Sequence, residues 1–264
     1  YGARLTKFED NETIKNELNK KTVTETKKED PDEQSMFNLL EPKGIKAPEI
    51  IPGGAWFNSD PLTLAELKGK VILVDFWTYS CINCQRTFPF LRDWNEKYKA
   101  KGLVIIGVHS PEFEFEKNQK NVAQAIKDFQ LTYPIVQDND FATWRAYDNH
   151  YWPAKYFIDK EGNIRHSHFG EGEYDEMEKA IQTLLKESGK KITTKVDTMP
   201  DTTPQSQLSP ETYLGSLRMA YLVPNGKTTN GKQNFTLSSY IPVNRFSFGG
   251  TWNIFDEQAT ADTN

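Results

Sequence analysis

The sequence predicts an α/β fold in which a mixed central sheet flanked by helices is followed by a small all-β unit. First, Val71–Trp77 is a continuous run of β-branched, apolar and aromatic residues around one aspartate, as in a strand buried on both faces. Second, strand-like and helix-like segments alternate from there to about residue 185. Third, three strand-like segments separated by Pro-Asn-Gly and Gly-Gly turns follow residue 210.

The individual elements follow from periodicity and turn signals. Apolar residues at three- and four-residue steps predict helices at 64–67, from Cys84 to about residue 101, and at 116–129, 141–147 and 174–185. Besides 71–77, strands are expected at 103–108, 133–137, 154–159 and 164–169. A Gly-Asn turn joins the last two strands as a hairpin.

Composition divides the chain into four segments. Residues 1–40 are polar and densely charged, so they are expected to be a solvated tether. Residues 41–189 hold the α/β domain, and 190–210 are a linker rich in Thr, Pro, Ser and Gln. Residues 211–264, here called the C-terminal β-unit, form a partial β-sandwich with strands expected at 213–223, 234–239 and 245–255. A unit of this size is barely stable alone, so it either packs on the first domain or continues further.

Charge and hydropathy exclude several protein classes. The 264 residues carry a net charge of -5, which gives no electrostatic reason to approach nucleic acid or anionic lipid. No apolar run approaches the ~20 residues that cross a bilayer. The chain begins at Tyr1 without the basic and apolar regions of a signal peptide. We therefore expect a soluble chain that has been trimmed from a longer one.

Two cysteines, Cys81 and Cys84, carry the main chemical signal. They are too few for a structural zinc site, which takes four ligands, and neither a metal nor a cofactor is expected. A pair at this spacing is a redox centre or half of a metal site. Because it lies between a buried strand and a helix start, the helix dipole lowers the pKa of the first thiol. Cys81 is therefore expected to attack a substrate disulfide, and Cys84 to resolve the mixed disulfide.

Other candidate site residues flank this pair. Asp75 lies in an apolar strand, where a buried acid with a raised pKa suits proton transfer to and from Cys84. The alternative is an acid at the surface or at a strand edge. Pro153 opens a strand, which makes Trp152–Pro153 a candidate for a cis peptide bond beside an extended substrate. Trp77, Trp152 and Pro153 are the candidate substrate-binding residues.

These motifs resemble the thioredoxin superfamily. Val-Asp-Phe-Trp before Cys-x-x-Cys, Pro89 after the second cysteine and a late Trp-Pro carry the resemblance. The insertion between Val108 and Tyr133 is similar to the TlpA/ResA-like branch. Residues 77–91 and 209–215 resemble DipZ-type proteins, in which a CcdA/DsbD-like membrane electron carrier is fused to an extracytoplasmic thioredoxin-like domain. A partial jelly-roll, similar to a carbohydrate-binding module, follows that domain in the family.

The resemblance implies roles and partners. It makes Cys81 the nucleophile, Cys84 the resolving thiol, Asp75 the buried acid and Pro153 the cis-proline. It implies an extracytoplasmic, membrane-tethered thiol-disulfide oxidoreductase that reduces protein disulfides with electrons from a CcdA/DsbD-like carrier. It also implies carbohydrate as a ligand class for the C-terminal β-unit. The residues between the cysteines, Ile-Asn, differ from the Gly-Pro and Pro-His of relatives and indicate a moderately reducing couple.

Two other functions stay open from the sequence. A thiol peroxidase shares the fold, and Thr78 lies three residues before Cys81, as a peroxidatic site requires. Against this, Val74 stands where that motif carries proline. The second alternative is a binding protein on a thioredoxin-like scaffold. Its candidate sugar-stacking residues are Tyr213, Tyr221, Tyr240 and Trp252, although aromatic residues at strand spacing are more often core.

Overall fold

The structure is a computed structural model that describes residues 40–196, 199–205 and 209–262. The expected polar tether lies outside the described residues, apart from its last residue, Leu40. Leu40 is itself buried.

A seven-stranded mixed sheet organises the described part of the α/β domain. Its strands are β1 (Ile45–Lys46), β2 (Trp56–Phe57), β3 (Val71–Trp77), β4 (Leu103–His109), β5 (Ile135–Gln137), β6 (Ala154–Ile158) and β7 (Asn163–Phe169). Their order across the sheet is β1-β7-β6-β3-β4-β5-β2. Strands β3, β4 and β5 are parallel, whereas β6, β7, β1 and β2 run antiparallel to their neighbours. Strand β3 is thus interior, with β4 on one side and β6 on the other.

Four α-helices accompany these strands within the described residues. They are α1 (Ile82–Tyr98), α2 (Gln119–Asp128), α3 (Ala142–Ala146) and α4 (Tyr174–Glu187), with 3₁₀ turns at Lys99–Lys101 and Glu114–Lys117. Pro89 lies inside α1. No helix in the described ranges has the length and apolar character that crossing a membrane requires.

The expected helix at 64–67 is wrong, because this segment forms a series of turns. The amide of Leu67 donates to the carbonyl of Thr63 at 3.3 Å, a single i to i−4 bond, and the amide of Lys68 donates to the carbonyl of Ala65 at 3.4 Å, an i to i−3 bond. Gly69 then takes a left-handed conformation with φ of +90°, which ends the segment before a helical turn can propagate.

The core lies around the interior strands. Every residue of β3 is buried, as its apolar sequence predicts. Val74 and Phe76 pack with Ile106, Val108 and Tyr156 of the neighbouring strands. Full burial of each such side chain stabilises the folded state by about 1.5–3 kcal/mol. Strand β3 is therefore rigid, and the loop that follows it is anchored to a rigid strand.

The C-terminal β-unit forms a separate antiparallel sheet of three strands within the described residues. These strands are β8 (Gly231–Phe235), β9 (Gly250–Ile254) and β10 (Ala259–Ala261), in the order β10-β9-β8. A small cluster supports the sheet, namely Met219, Leu222, Phe248 and Ile254. The predicted fold class, a thioredoxin-like mixed sheet with flanking helices and a small all-β unit, is therefore confirmed.

The strand positions in the β-unit differ from the sequence predictions. The strand expected at 213–223 is wrong: turns fill its middle, and Leu222 makes only isolated bridges to Gly226 and Phe246. Gly215 explains part of this, because a Cβ there would lie 2.3 Å from the backbone of Glu257, so the chain crosses closely instead of pairing in register. Strand β10 was missed because Ala-Thr-Ala lacks the large apolar residues that mark strands.

Candidate active site

Cys81 and Cys84 are joined by a disulfide at the N-terminus of α1. Strand β3 ends at Trp77, and residues 78–80 lead directly into the helix. Cys81 is the N-cap residue, and its Sγ accepts the backbone N–H of Cys84 at 3.1 Å. The first sulfur therefore lies where the free amides and the positive end of the helix dipole stabilise an anion.

The two cysteines differ in their access to solvent. Cys84 is fully buried, whereas Cys81 is partly exposed. The neighbouring Ile82 is 56% exposed and forms part of the surface around the disulfide. Of the two cysteines, only Cys81 is accessible to a large molecule. An attacking thiol requires such access, whereas a resolving thiol does not.

Asp75 lies in the middle of β3 and faces Lys155 of β6 across the sheet. The Nζ of Lys155 is 3.1 Å from Oδ1 of Asp75, and both side chains are fully buried. Burial raises the pKa of Asp75, while the Lys155 ammonium opposes that rise. The expected burial of Asp75 is confirmed, and the alternative of a surface or edge acid is wrong.

Lys155 is a residue that the sequence reasoning missed. Its signal was a lysine at the second position of the otherwise apolar strand β6, Ala-Lys-Tyr-Phe-Ile. A lysine is almost never fully buried unless it is paired, so its presence in a buried strand called for an acidic partner. The antiparallel register of β3 and β6 supplies that partner.

The Trp152–Pro153 peptide bond is cis, as the sequence predicts. Pro153 directly precedes β6, and Ala154 pairs with Phe76 near the end of β3. The proline therefore lies at the same end of the sheet as the loop that carries the cysteines. Trp152 is half-buried, and its Nε1 donates to the carbonyl of Ser110 at 3.0 Å.

Trp77 does not fit the expected role of contacting substrate, because it is fully buried. Its ring packs edge-on against Phe88 of α1 and His109 of β4, with centroids 5.3 and 4.9 Å away. Gly107 makes this packing possible, since a Cβ there would lie 3.0 Å from the Trp77 indole nitrogen. Trp77 thus supports the redox helix from below.

His109 lies beneath the loop that carries the cysteines. Its ring stacks on the ring of Tyr79, with the two centroids 5.7 Å apart, and its Nε2 is 3.4 Å from the hydroxyl of Thr78. Burial lowers the pKa of His109 to about 4, although the nearby Glu116 carboxylate acts in the opposite direction. The imidazole is therefore neutral at neutral pH.

Exposed apolar side chains flank the disulfide. Ile82 follows Cys81 directly, and Phe115 packs against Tyr79 at 6.0 Å. The rings of Tyr151 and Phe169 contact each other, with their centroids 5.1 Å apart, beside strand β6, which follows Pro153. Exposed apolar side chains of this kind are typical of surfaces that take part in binding. Among the described residues, no three His, Cys, Asp or Glu side chains are grouped to hold a metal ion.

Comparisons with known proteins agree with this geometry. A model described as the AhpC/TSA family matches residues 47–167, and one described as a thioredoxin-like C-terminal domain matches residues 209–264. Protein DipZ of Mycobacterium tuberculosis is 41% identical over 224 residues, which cover 83% of this chain and 32% of that protein. This chain therefore spans about a third of the length of that relative.

Shorter relatives match over nearly their whole length. Thiol-disulfide oxidoreductase YkuV of Bacillus subtilis is 32% identical over 142 residues, which cover 53% of this chain and 95% of that protein. The solution structure of a thioredoxin-like protein in the oxidized form is 31% identical, with a TM-score of 0.51. That match covers 55% of this chain and 97% of the solved one.

Proposed function

The chain belongs to the thioredoxin-like thiol-disulfide oxidoreductases, and from this premise we propose that it reduces disulfides of extracytoplasmic proteins with electrons from a membrane carrier. One observation carries the proposal. Cys81 is partly exposed and caps α1 through its Sγ, while its partner Cys84 is fully buried. This arrangement separates an attacking sulfur from a resolving one.

The reaction begins with the reduced protein. The thiolate of Cys81 attacks one sulfur of the substrate disulfide, so that bond breaks and a mixed disulfide forms, with the other substrate sulfur leaving as a thiolate. Cys84 loses its proton and attacks the sulfur of Cys81. The mixed disulfide then breaks, the second substrate sulfur leaves, and Cys81 and Cys84 are oxidised to a disulfide. Two electrons have moved to the substrate.

Asp75 acts in the second half of this sequence as the base that takes the proton of Cys84. Its place in the buried strand that leads into the cysteine loop and its pKa, raised by burial, suit that task. Lys155 stabilises the ionised carboxylate, the form in which Asp75 can accept a proton.

Substrate binding uses the cis-proline side of the site. We place an extended peptide beside Trp152 and Pro153, where it meets the exposed apolar side chains of Tyr151 and Phe169. Trp77 takes no direct part, because it is buried.

The location and the electron donor follow from the resemblance to DipZ-type proteins, which the 41% identity to protein DipZ supports. The donor is a CcdA/DsbD-like carrier that would reduce the Cys81–Cys84 disulfide in each cycle, and a membrane tether would hold the two together. Carbohydrate is not part of this proposal. Two of the aromatic residues considered for sugar stacking are engaged inside the protein: Tyr213 lies under Arg218, and Trp252 packs on Phe248.

Reduction of insulin by the pre-reduced protein, together with the reduction potential of the couple, tests the proposal. We expect insulin to be reduced and a potential near the ~-270 mV of thioredoxin. A value near ~-120 mV would make the protein an oxidant and overturn the direction of electron flow. Hydrogen peroxide offered to the same reduced protein tests the peroxidase alternative, and consumption of peroxide faster than insulin would favour it.

A further inference from the structure

Glu116 is a buried carboxylate beside the redox loop that the reaction above does not use. Its Oε1 accepts the backbone N–H of Ser80 at 3.3 Å and the hydroxyl of Ser80 at 2.6 Å. Its Oε2 accepts the amides of Glu112 and Phe113 at 2.6 and 2.9 Å. One side chain therefore joins the residue before Cys81 to the segment 110–117.

The same segment is fastened to the C-terminal β-unit. The carboxylate of Glu112 accepts the hydroxyl of Tyr213 at 2.7 Å and a guanidinium N–H of Arg218 at 2.9 Å. The guanidinium of Arg218 lies over the rings of Tyr213 and Phe113, 3.9 and 4.7 Å from their centroids. The bond from Arg218 to Glu112 is charge-assisted, and the guanidinium of Arg218 is also stacked on two rings. Together these contacts restrain the position of Glu112 more than a mobile surface ion pair would.

Two further contacts run in parallel with these. The backbone N–H of Glu114 donates to the carboxylate of Glu257 in the β-unit at 2.9 Å. On the other side, the hydroxyl of Tyr79 donates to the carbonyl of Phe115 at 3.3 Å. Segment 110–117 is thus held from both directions, by the redox loop and by the β-unit.

The chemistry of Glu116 requires a carboxylate. Both of its oxygens act as acceptors, one toward the redox loop and the other toward the segment. A glutamine has a single acceptor oxygen and would turn its NH₂ group toward donors on one side. Hydrogen bonds accepted by both side-chain oxygens, as Glu116 makes them, therefore require an acidic residue.

We propose that the C-terminal β-unit holds the redox loop in its working geometry through a bridge made of Arg218, Tyr213, Glu112, Glu116 and Ser80. The inference rests on the proposed function in one respect, the role of Cys81 as the attacking thiol. With Ser80 fixed, the sulfur of Cys81 stays at the N-cap and accepts the N–H of Cys84, which stabilises the thiolate. A loosened bridge leaves that sulfur less often in place, so it reacts more slowly.

Arg218→Ala tests the bridge, with Lys232→Ala as the matched control. Both variants remove one positive charge from the β-unit, but Lys232 pairs with Asp262, away from the bridge. The rate at which iodoacetamide alkylates Cys81 in the reduced protein, and the equilibrium constant with glutathione, are measured at neutral pH. We expect Arg218→Ala to slow alkylation at least about threefold and to shift the equilibrium constant by a similar factor toward a more reducing couple. Lys232→Ala stays at the wild-type values.

Unchanged alkylation and an unchanged equilibrium constant in folded Arg218→Ala would overturn the proposal. Should that variant fail to fold, Tyr213→Phe keeps the ring under Arg218 and removes only the hydroxyl, with its bonds to Glu112 of the bridge and to the neighbouring Glu211, and wild-type values in it would overturn the proposal equally. Alkylation needs no substrate. Failure of the wild-type protein to reduce insulin would therefore remove the proposed function and leave this comparison of Cys81 reactivity intact.

Discussion

The Nζ of Lys155 lies 3.1 Å from Oδ1 of Asp75 in the interior of the sheet, with no exposed surface on either side chain. Neighbouring strands bring the two residues into register. Because a buried ion pair stabilises a protein little in net terms, its presence is better explained by the proton transfer proposed for Asp75 than by stability.

Replacing Asp75 with Asn should slow disulfide exchange while the fold is retained. The variant lacks the base for Cys84, so mixed disulfides with substrate should persist longer, by about tenfold or more, as is typical of lost acid–base catalysis. Since burial raises the pKa of Asp75, the wild-type rate should fall as the pH decreases toward that pKa and the carboxylate is protonated. Stopped-flow insulin reduction between pH 5 and 9 measures this, and a rate in Asp75→Asn equal to wild type throughout would contradict the assigned role.

The buried pair also predicts a strong coupling in stability. Asp75→Asn alone leaves the Lys155 ammonium buried without its counter-charge, which should cost about 3–5 kcal/mol. Lys155→Met alone leaves the opposite charge unpaired at a similar cost. The double variant should be more stable than either single one, because both charges are gone. Urea denaturation of the four proteins gives the cycle, and additive losses would show that the two groups are not coupled.

The two cysteines should differ when each is replaced by serine. Cys81→Ser should abolish insulin reduction, because the attacking sulfur of the partly exposed Cys81 is lost. Cys84→Ser should trap substrates as mixed disulfides on Cys81, which non-reducing gels and mass spectrometry detect. Alkylation of the reduced protein at neutral pH gives a separate check. Faster labelling of Cys84 than of Cys81 would reverse the assigned roles.

Burial of His109 predicts a loss of stability in mild acid. Its folded pKa, about 4, lies below the value of 6.5 of a free histidine, so the unfolded chain binds more protons between these values. The stability contributed by the neutral imidazole is therefore complete above pH 6.5 and falls as the pH decreases toward 4. The full loss is on the order of 3 kcal/mol. His109→Gln should flatten this part of a pH series of urea denaturation curves.

His150 offers a control for the last experiment. It is exposed, and its Nε2 lies 3.3 Å from the carboxylate of the surface residue Asp148. His150→Gln should leave the pH dependence of unfolding as in the wild type. An equal flattening in both variants would mean that the burial of His109 is not its source.

Much of the redox site could be predicted from the sequence because its signals are local. A continuous apolar run with one aspartate indicated a buried strand, and Cys-x-x-Cys after it indicated a helix start. Helix geometry then requires the first sulfur to lie near the free amides and the second to lie one turn inside. The cis bond before β6 was predicted in the same way, from a proline at a strand start.

The remaining features were decided by tertiary structure, because they depend on which residues meet across long separations in the chain. Lys155 faces Asp75 only through the antiparallel register of β3 and β6, and the burial of Trp77 depends on α1 folding back over the sheet. Glu116 has no sequence signal, since an acidic residue at the start of a predicted helix and among charged neighbours is ordinarily solvated. It becomes part of the site because the folded chain brings Ser80 and the segment around Glu112 to its two oxygens, and burial then requires each oxygen to be hydrogen-bonded.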